Sequence, residues 1–110
     1  MNRTPKWSTL AWSVESPLAQ GAMKAPLDKA FAEPWQWGES NYNGDYLAGR
    51  LTPEAACRIY LVDGRFNVEL HFASTDGDAE TQLAVAKERL EKEVLPALQA
   101  RDVRIGWAVG

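Results

Sequence analysis

The sequence predicts an α+β domain. Its expected core is an antiparallel β-meander of about four strands, with N- and C-terminal strands beside it. One long C-terminal helix packs on the apolar sheet face, and short helical segments lie near the N-terminus. Three observations carry this reading. Asn43-Gly44 and Asp63-Gly64 are two-residue turn signals between β-forming runs. Apolar and polar residues alternate on both sides of the second turn. Residues 78–100 instead repeat apolar positions at helical spacing.

A chain of 110 residues has the length of one domain, spanning residues 1–110. Such a domain buries about two-thirds of its unfolded surface, enough for one core. The hydrophobic fraction of 45% and charged fraction of 25% place it among ordinary globular chains. A net charge of -3, with Lys and Arg scattered rather than striped, argues against nucleic acid as a partner. Cys57 is the only cysteine, so neither a disulfide framework nor a cysteine zinc set is expected. The N-terminus lacks a signal-peptide core and no apolar run approaches the ~18 residues of a membrane span. The expectation is a cytoplasmic protein with no membrane association.

The first strand is expected at 7–14, with Leu10, Trp12 and Val14 on one side and Thr9, Ala11 and Ser13 on the other. Ser16-Pro17 reads as a helix start. One or two short helices are expected within 16–33, the second placing Leu27, Ala30 and Phe31 together and stopping before Pro34. A tight turn at Asn43-Gly44 pairs Tyr42 with Asp45 and Trp37 with Arg50. That register puts Tyr42, Leu47 and Leu51 on one face and Trp35, Trp37, Tyr46 and Arg50 on the other. Thr52-Pro53-Glu54 is read as a turn into a strand, with a helix at 53–60 as the competing reading. Asp63-Gly64 pairs Val62 with Arg65, Tyr60 with Asn67 and Arg58 with Glu69.

Residues 78–100 form the clearest helix. Leu83, Ala86, Leu90, Val94 and Leu98 make its core stripe, Asp76, Asp78 and Glu80 suit its N-terminus, and Pro96 should kink its last turns. A final strand alternates Val103, Ile105, Trp107 and Val109 against Arg104, Gly106 and Ala108. It is expected either to run parallel to a neighbour or to pair with the first strand.

Catalytic patterns fail on inspection. The second hairpin puts Cys57 on the apolar face and His71 on the other, which removes a Cys–His pair. No serine sits in a nucleophile elbow. A calcium loop starting at Asp76 would need Gly and Glu where Thr81 and Lys87 stand. No phosphate-binding glycine loop or zinc motif occurs. No enzyme activity, metal or cofactor is therefore expected.

The informative feature is the sheet face opposite the core. On the expected registers it gathers Trp35, Trp37, Tyr46, Arg50, Arg58, Tyr60 and His71. Tyr, Trp and Arg dominate binding hot spots. The bland explanation is that 16–33 folds over this face as a second small core. The functional expectation is a small non-enzymatic binding protein that recognises another protein, in the manner of inhibitors, immunity proteins and phage antagonists, an analogy of size and motif content. The alternatives are a small-ligand pocket between sheet and helix, or a structural subunit that forms homo-oligomers.

Overall fold

A computed structural model of the chain describes residues 6–40, 44–74 and 78–107. The strands are β1 (Lys6–Glu15), β2 (Gln36–Ser40), β3 (Gly44–Thr52), β4 (Ala55–Val62), β5 (Arg65–Ser74) and β6 (Arg101–Trp107). A 3₁₀ turn at Gln20–Ala22 leads into α1 (Lys24–Ala30). The C-terminal helix begins as α2 (Ala79–Arg89), widens into a π turn over Leu90–Val94 and ends as α3 (Leu95–Ala97). The fold is α+β. Its six strands are ordered β2-β3-β4-β5-β1-β6, and every neighbouring pair is antiparallel.

The β4–β5 hairpin has the expected register: Val62 meets Arg65, Tyr60 meets Asn67 and Arg58 meets Glu69. Asp63 (φ 52°) and Gly64 (φ 80°) both take the left-handed conformation that a type I′ turn requires. The Thr52-Pro53-Glu54 segment is a turn, so residues 55–62 are strand rather than helix. The last strand pairs antiparallel with β1 instead of running parallel to an adjacent strand. Because β1 lies between them, β5 and β6 run in the same direction, and the long helix carries the chain back across the sheet. Val109 and Ala108 lie outside the described residues, as do Asp76 and the calcium reading that began there.

One core joins the sheet to both helical segments. Trp12, Val14, Leu47, Ile59, Val68 and Leu70 from the sheet meet Met23, Leu27, Ala86, Leu90, Val94 and Leu98 from the helices. The buried helix positions 86, 90, 94 and 98 recur every four residues. An α-helix of 3.6 residues per turn would drift off that spacing, and the π turn holds the stripe on one face. It also precedes Pro96, whose missing N–H cannot continue an α ladder. Arg89 closes the layer: its guanidinium donates to the Leu51 carbonyl at 2.7 Å and lies 4.8 Å from the Phe31 ring centroid.

Residues 16–33 do not cover the opposite sheet face. Met23, Leu27 and Phe31 join the one core on the helix side. Ser16 is not a helix cap; its hydroxyl accepts from Leu18 N–H and donates to the Leu98 carbonyl.

The β2–β3 hairpin departs from its expected register. Ser40 pairs with Gly44 and Trp37 with Leu47, not with Arg50. Asn43 and Tyr42 fall outside the described residues. The three-residue difference is odd, so it moves every β2 side chain to the other face. The reason is Trp35. In the observed register its ring lies over Gly49 on the helix side, 0% exposed, and meets Phe31 edge-on at 5.5 Å. The expected register would have left this ring in water, forfeiting several kcal/mol of burial, about what a ring of its area contributes. Asp28 fixes the approach by accepting from Trp35 N–H at 2.6 Å.

Gly49 is therefore a packing requirement: an added Cβ would come within 3.0 Å of the Trp35 ring. Gly49→Ala is expected to lower stability by about 1–3 kcal/mol, the range for overpacked cores. A urea-unfolding midpoint no lower than that of the parent would refute the contact.

Candidate functional site

The candidate site is the sheet face that no helix among the described residues covers. Three cross-strand rows build it. The first runs Gly38, Tyr46, Tyr60, Asn67, Ser13, Arg104; the second runs Gln36, Ala48, Arg58, Glu69, Ala11, Gly106. The third, shorter row runs Arg50, Ala56, His71, Thr9. Directly opposed residues on adjacent strands share a face, so these registers bring Tyr46, Arg50, Arg58, Tyr60 and His71 to one side.

Two of the seven expected residues do not belong. Trp35 is buried in the core. Trp37 stands opposite Leu47 on the helix side, at the outer strand, and is 45% exposed there. Both follow from the shifted β2 register, which puts Trp37 and Arg50 on opposite sides of the sheet rather than pairing them. Arg50 instead donates to the Pro53 carbonyl at 3.1 Å.

The centre of the face is a tyrosine pair with an arginine above it. Tyr46 and Tyr60 have ring centroids 5.1 Å apart, and the Arg58 guanidinium carbon lies 5.1 Å from the Tyr46 centroid. Gly38 makes the room: a Cβ there would come within 3.0 Å of the Tyr46 ring. Tyr60 is only 6% exposed, so it supports Tyr46 and Arg58 from below. Arg58 is cross-strand from Glu69, as expected, yet the Glu69 oxygens are taken by Asn67 at 2.8 Å and His71 at 2.9 Å. The Arg58 guanidinium turns to the tyrosines instead. The hydrogen-bonded Tyr60 side chain is the leading cause of a raised Arg58 pKa.

His71 borders a depression of about 320 Å³ that Arg50, Thr9 and Ala56 also line. Cys57 lies on the other side of the sheet, 0% exposed, and burial pushes its thiol pKa up. The two residues cannot act together. Among the described residues, no group of three or more His, Cys, Asp and Glu side chains is placed to hold a metal ion.

Sequence reading missed the polar corner of this face. Arg65 donates to Ser13 Oγ at 2.8 Å, the Ser13 carbonyl at 3.0 Å, Glu15 at 3.1 Å, and the Asp102 carboxylate and carbonyl at 2.9 and 2.7 Å. Arg104 adds a 2.9 Å bond to the same carboxylate. This network ties β5, β1 and β6 together and holds Asp102 at φ 46°. Nothing in local sequence spacing signals it, because its hydrogen-bonded partners lie up to 52 positions apart.

Arg65, then Arg104, hold the Asp102 carboxyl below its ordinary value of 3.8. A folded-state pKa below the unfolded one adds stability above the unfolded value, and that stability is lost as pH falls through the folded value. Asp102→Asn is therefore expected to lower stability at neutral pH and to shrink the stability difference between neutral pH and about pH 3. Urea midpoints across that range test this; an unchanged acid limb in the variant would refute the role of the carboxylate.

The chain matches no protein-family model, and no curated protein is significantly similar to it.

Proposed function

We propose that this chain is a small non-enzymatic binding protein of the cytoplasm that recognises another protein through its uncovered sheet face, in the manner of inhibitors, immunity proteins or phage antagonists. The observation that carries this reading is the Tyr46–Tyr60–Arg58 cluster at the middle of a face that no element of the described chain packs upon. Tyr and Arg are the side chains that most often anchor interfaces, especially at the centre of a patch. Small neighbours, Gly38, Ala48, Ala56 and Ala11, keep the surroundings low. A flat partner surface can therefore reach the cluster.

The partner's chemistry follows from the charges. Arg50 and Arg58 are exposed on this face, while the carboxylate nearest the cluster, Glu69, is already engaged by Asn67 and His71. An acidic patch with an apolar centre complements such a surface. A small-ligand pocket between sheet and helix is not favoured, because Leu90, Val94 and Leu98 fill that space with 0% exposure. No helix among the described residues is long and apolar enough to cross a membrane.

The test uses the full chain as bait in host lysate, followed by calorimetry with the captured partner. Arg58→Glu and Tyr46→Ala are each expected to weaken binding about 30-fold or more, the ~2 kcal/mol of a hot-spot residue. Val85→Lys, on the helix side and 51% exposed, is expected to bind as the parent does. Affinity should also fall with added salt. Unchanged affinity in both face variants, with their circular dichroism intact, would sink the reading.

A further inference from the structure

Among the described residues, the outer strand β6 has a neighbour on one side only, β1. Alternate backbone N–H and C=O groups along its free edge therefore lack a strand partner. Proteins usually blunt such an edge with proline, lysine, a bulge or a charge pointing inward. At its start, β6 carries one such device: the register with β1 shifts between Ser13 and Glu15, across from Asp102, whose φ is 46°. Beyond that bulge the strand runs Val-Arg-Ile-Gly-Trp, with no proline or lysine and a single charge, Arg104, which lies on the open sheet face beside Asp102. On its helix side, Val103 is 44% exposed and Ile105 is 66% exposed, the highest value among the large apolar residues described. The helix layer does not reach them.

We propose that β6 pairs antiparallel with β6 of a second copy of this chain, about a twofold axis at Ile105, forming a symmetric dimer with one continuous sheet. The register follows from the residues. Within the described part of the strand beyond the bulge, Val103 to Trp107, an axis at Ile105 pairs every residue. It sets Ile105 against Ile105 and Val103 against Trp107 of the second copy, apolar against apolar. On the other face it sets Arg104 against Gly106, where an added Cβ would meet nothing closer than the Ala11 carbonyl oxygen at 4.0 Å. An axis at Arg104 would oppose two like charges, which destabilises a strand pair. An axis at Val103 would run the ladder into the Asp102 bulge. A twofold axis normal to the sheet keeps both helix layers on one side, so the exposed Val103 and Ile105 of the two copies meet in the gap between those layers.

Sedimentation equilibrium of the full chain tests this. The expected result is a reversible dimer of twice the chain mass. Ile105→Lys should raise its dissociation constant by about tenfold or more, with circular dichroism unchanged because the side chain is already exposed. Oxidation of Ile105→Cys should give a disulfide-linked dimer, since directly opposed strand positions hold their Cβ atoms within about 4.5–5.5 Å. Val85→Cys, on the exposed face of α2, should not. Buried Cys57 takes no part. A monomer at every concentration, which would leave the edge to a strand of some other protein, overturns the proposal. So does a dimer that Ile105→Lys leaves intact, or one that cross-links through Arg104→Cys and not through Ile105→Cys.

Discussion

The register of the β4–β5 hairpin is the constraint on which the other elements depend. With Asp63 and Gly64 both left-handed, Cys57 must meet Leu70 and Arg58 must meet Glu69. A slip of one residue would turn β5 over against β4, putting Asn67 and Glu69 in place of Val68 and Leu70 on the side the helices cover. That side offers Ala86, Leu90, Val94 and Leu98, which have no polar atoms to satisfy a buried carboxylate or amide. The turn therefore decides which face becomes core. The ladders then pass the decision outward, to β3 through Ile59–Leu47 and to β1 through Val68–Trp12.

Among the described residues, helix covers one side of the sheet only. The long helix returns the chain from β5 to β6 past the intervening β1, and its apolar stripe packs on that side. The short α1 joins it there, held by Leu27 and Phe31. Coverage is complete over the central strands and fails at both outer ones, which is why Trp37 on β2 and Ile105 on β6 are exposed. On the opposite side the residues themselves must make the face compatible with water. They do so with alanine and glycine, with a polar network at Glu69, and with an aromatic cluster in which Tyr46 and Arg58 shield Tyr60.

The parts that were legible in the sequence are those where a local signal and a long-range pattern agree. Asp63-Gly64 names a turn, and the alternation from Cys57 to Phe72 confirms its register independently. The C-terminal helix is legible for the same reason, since its stripe is longer than any strand pattern. The β2–β3 hairpin was misread because Asn43-Gly44 named a tight turn while the placement of Trp35 depended on Gly49 and Phe31, contacts invisible to a two-residue signal. Two of seven candidate site residues were lost with it. The π turn left no mark beyond the four-residue spacing and Pro96. The Arg65 network left none, because it is assembled only when β1, β5 and β6 come together.

Charge also has to be read by side rather than by total. The net charge of -3 is an average over two surfaces. Glu80, Glu88 and Glu91 are exposed on the helix side, while Arg50, Arg58 and Arg104 are exposed on the side of the open sheet face. Sheet and helix layers are about 10 Å apart, and the Debye length in physiological salt is about 8 Å. At close range a partner therefore meets the charge of one side, with the other largely screened. The argument against nucleic acid then rests on arrangement. Arg65 and Arg104 are tied to Asp102, and Glu69 interrupts the face between Arg58 and the far edge. A phosphate backbone needs a continuous cationic track, whereas a single charged centre beside two tyrosine rings suits an acidic side chain set in an apolar surround.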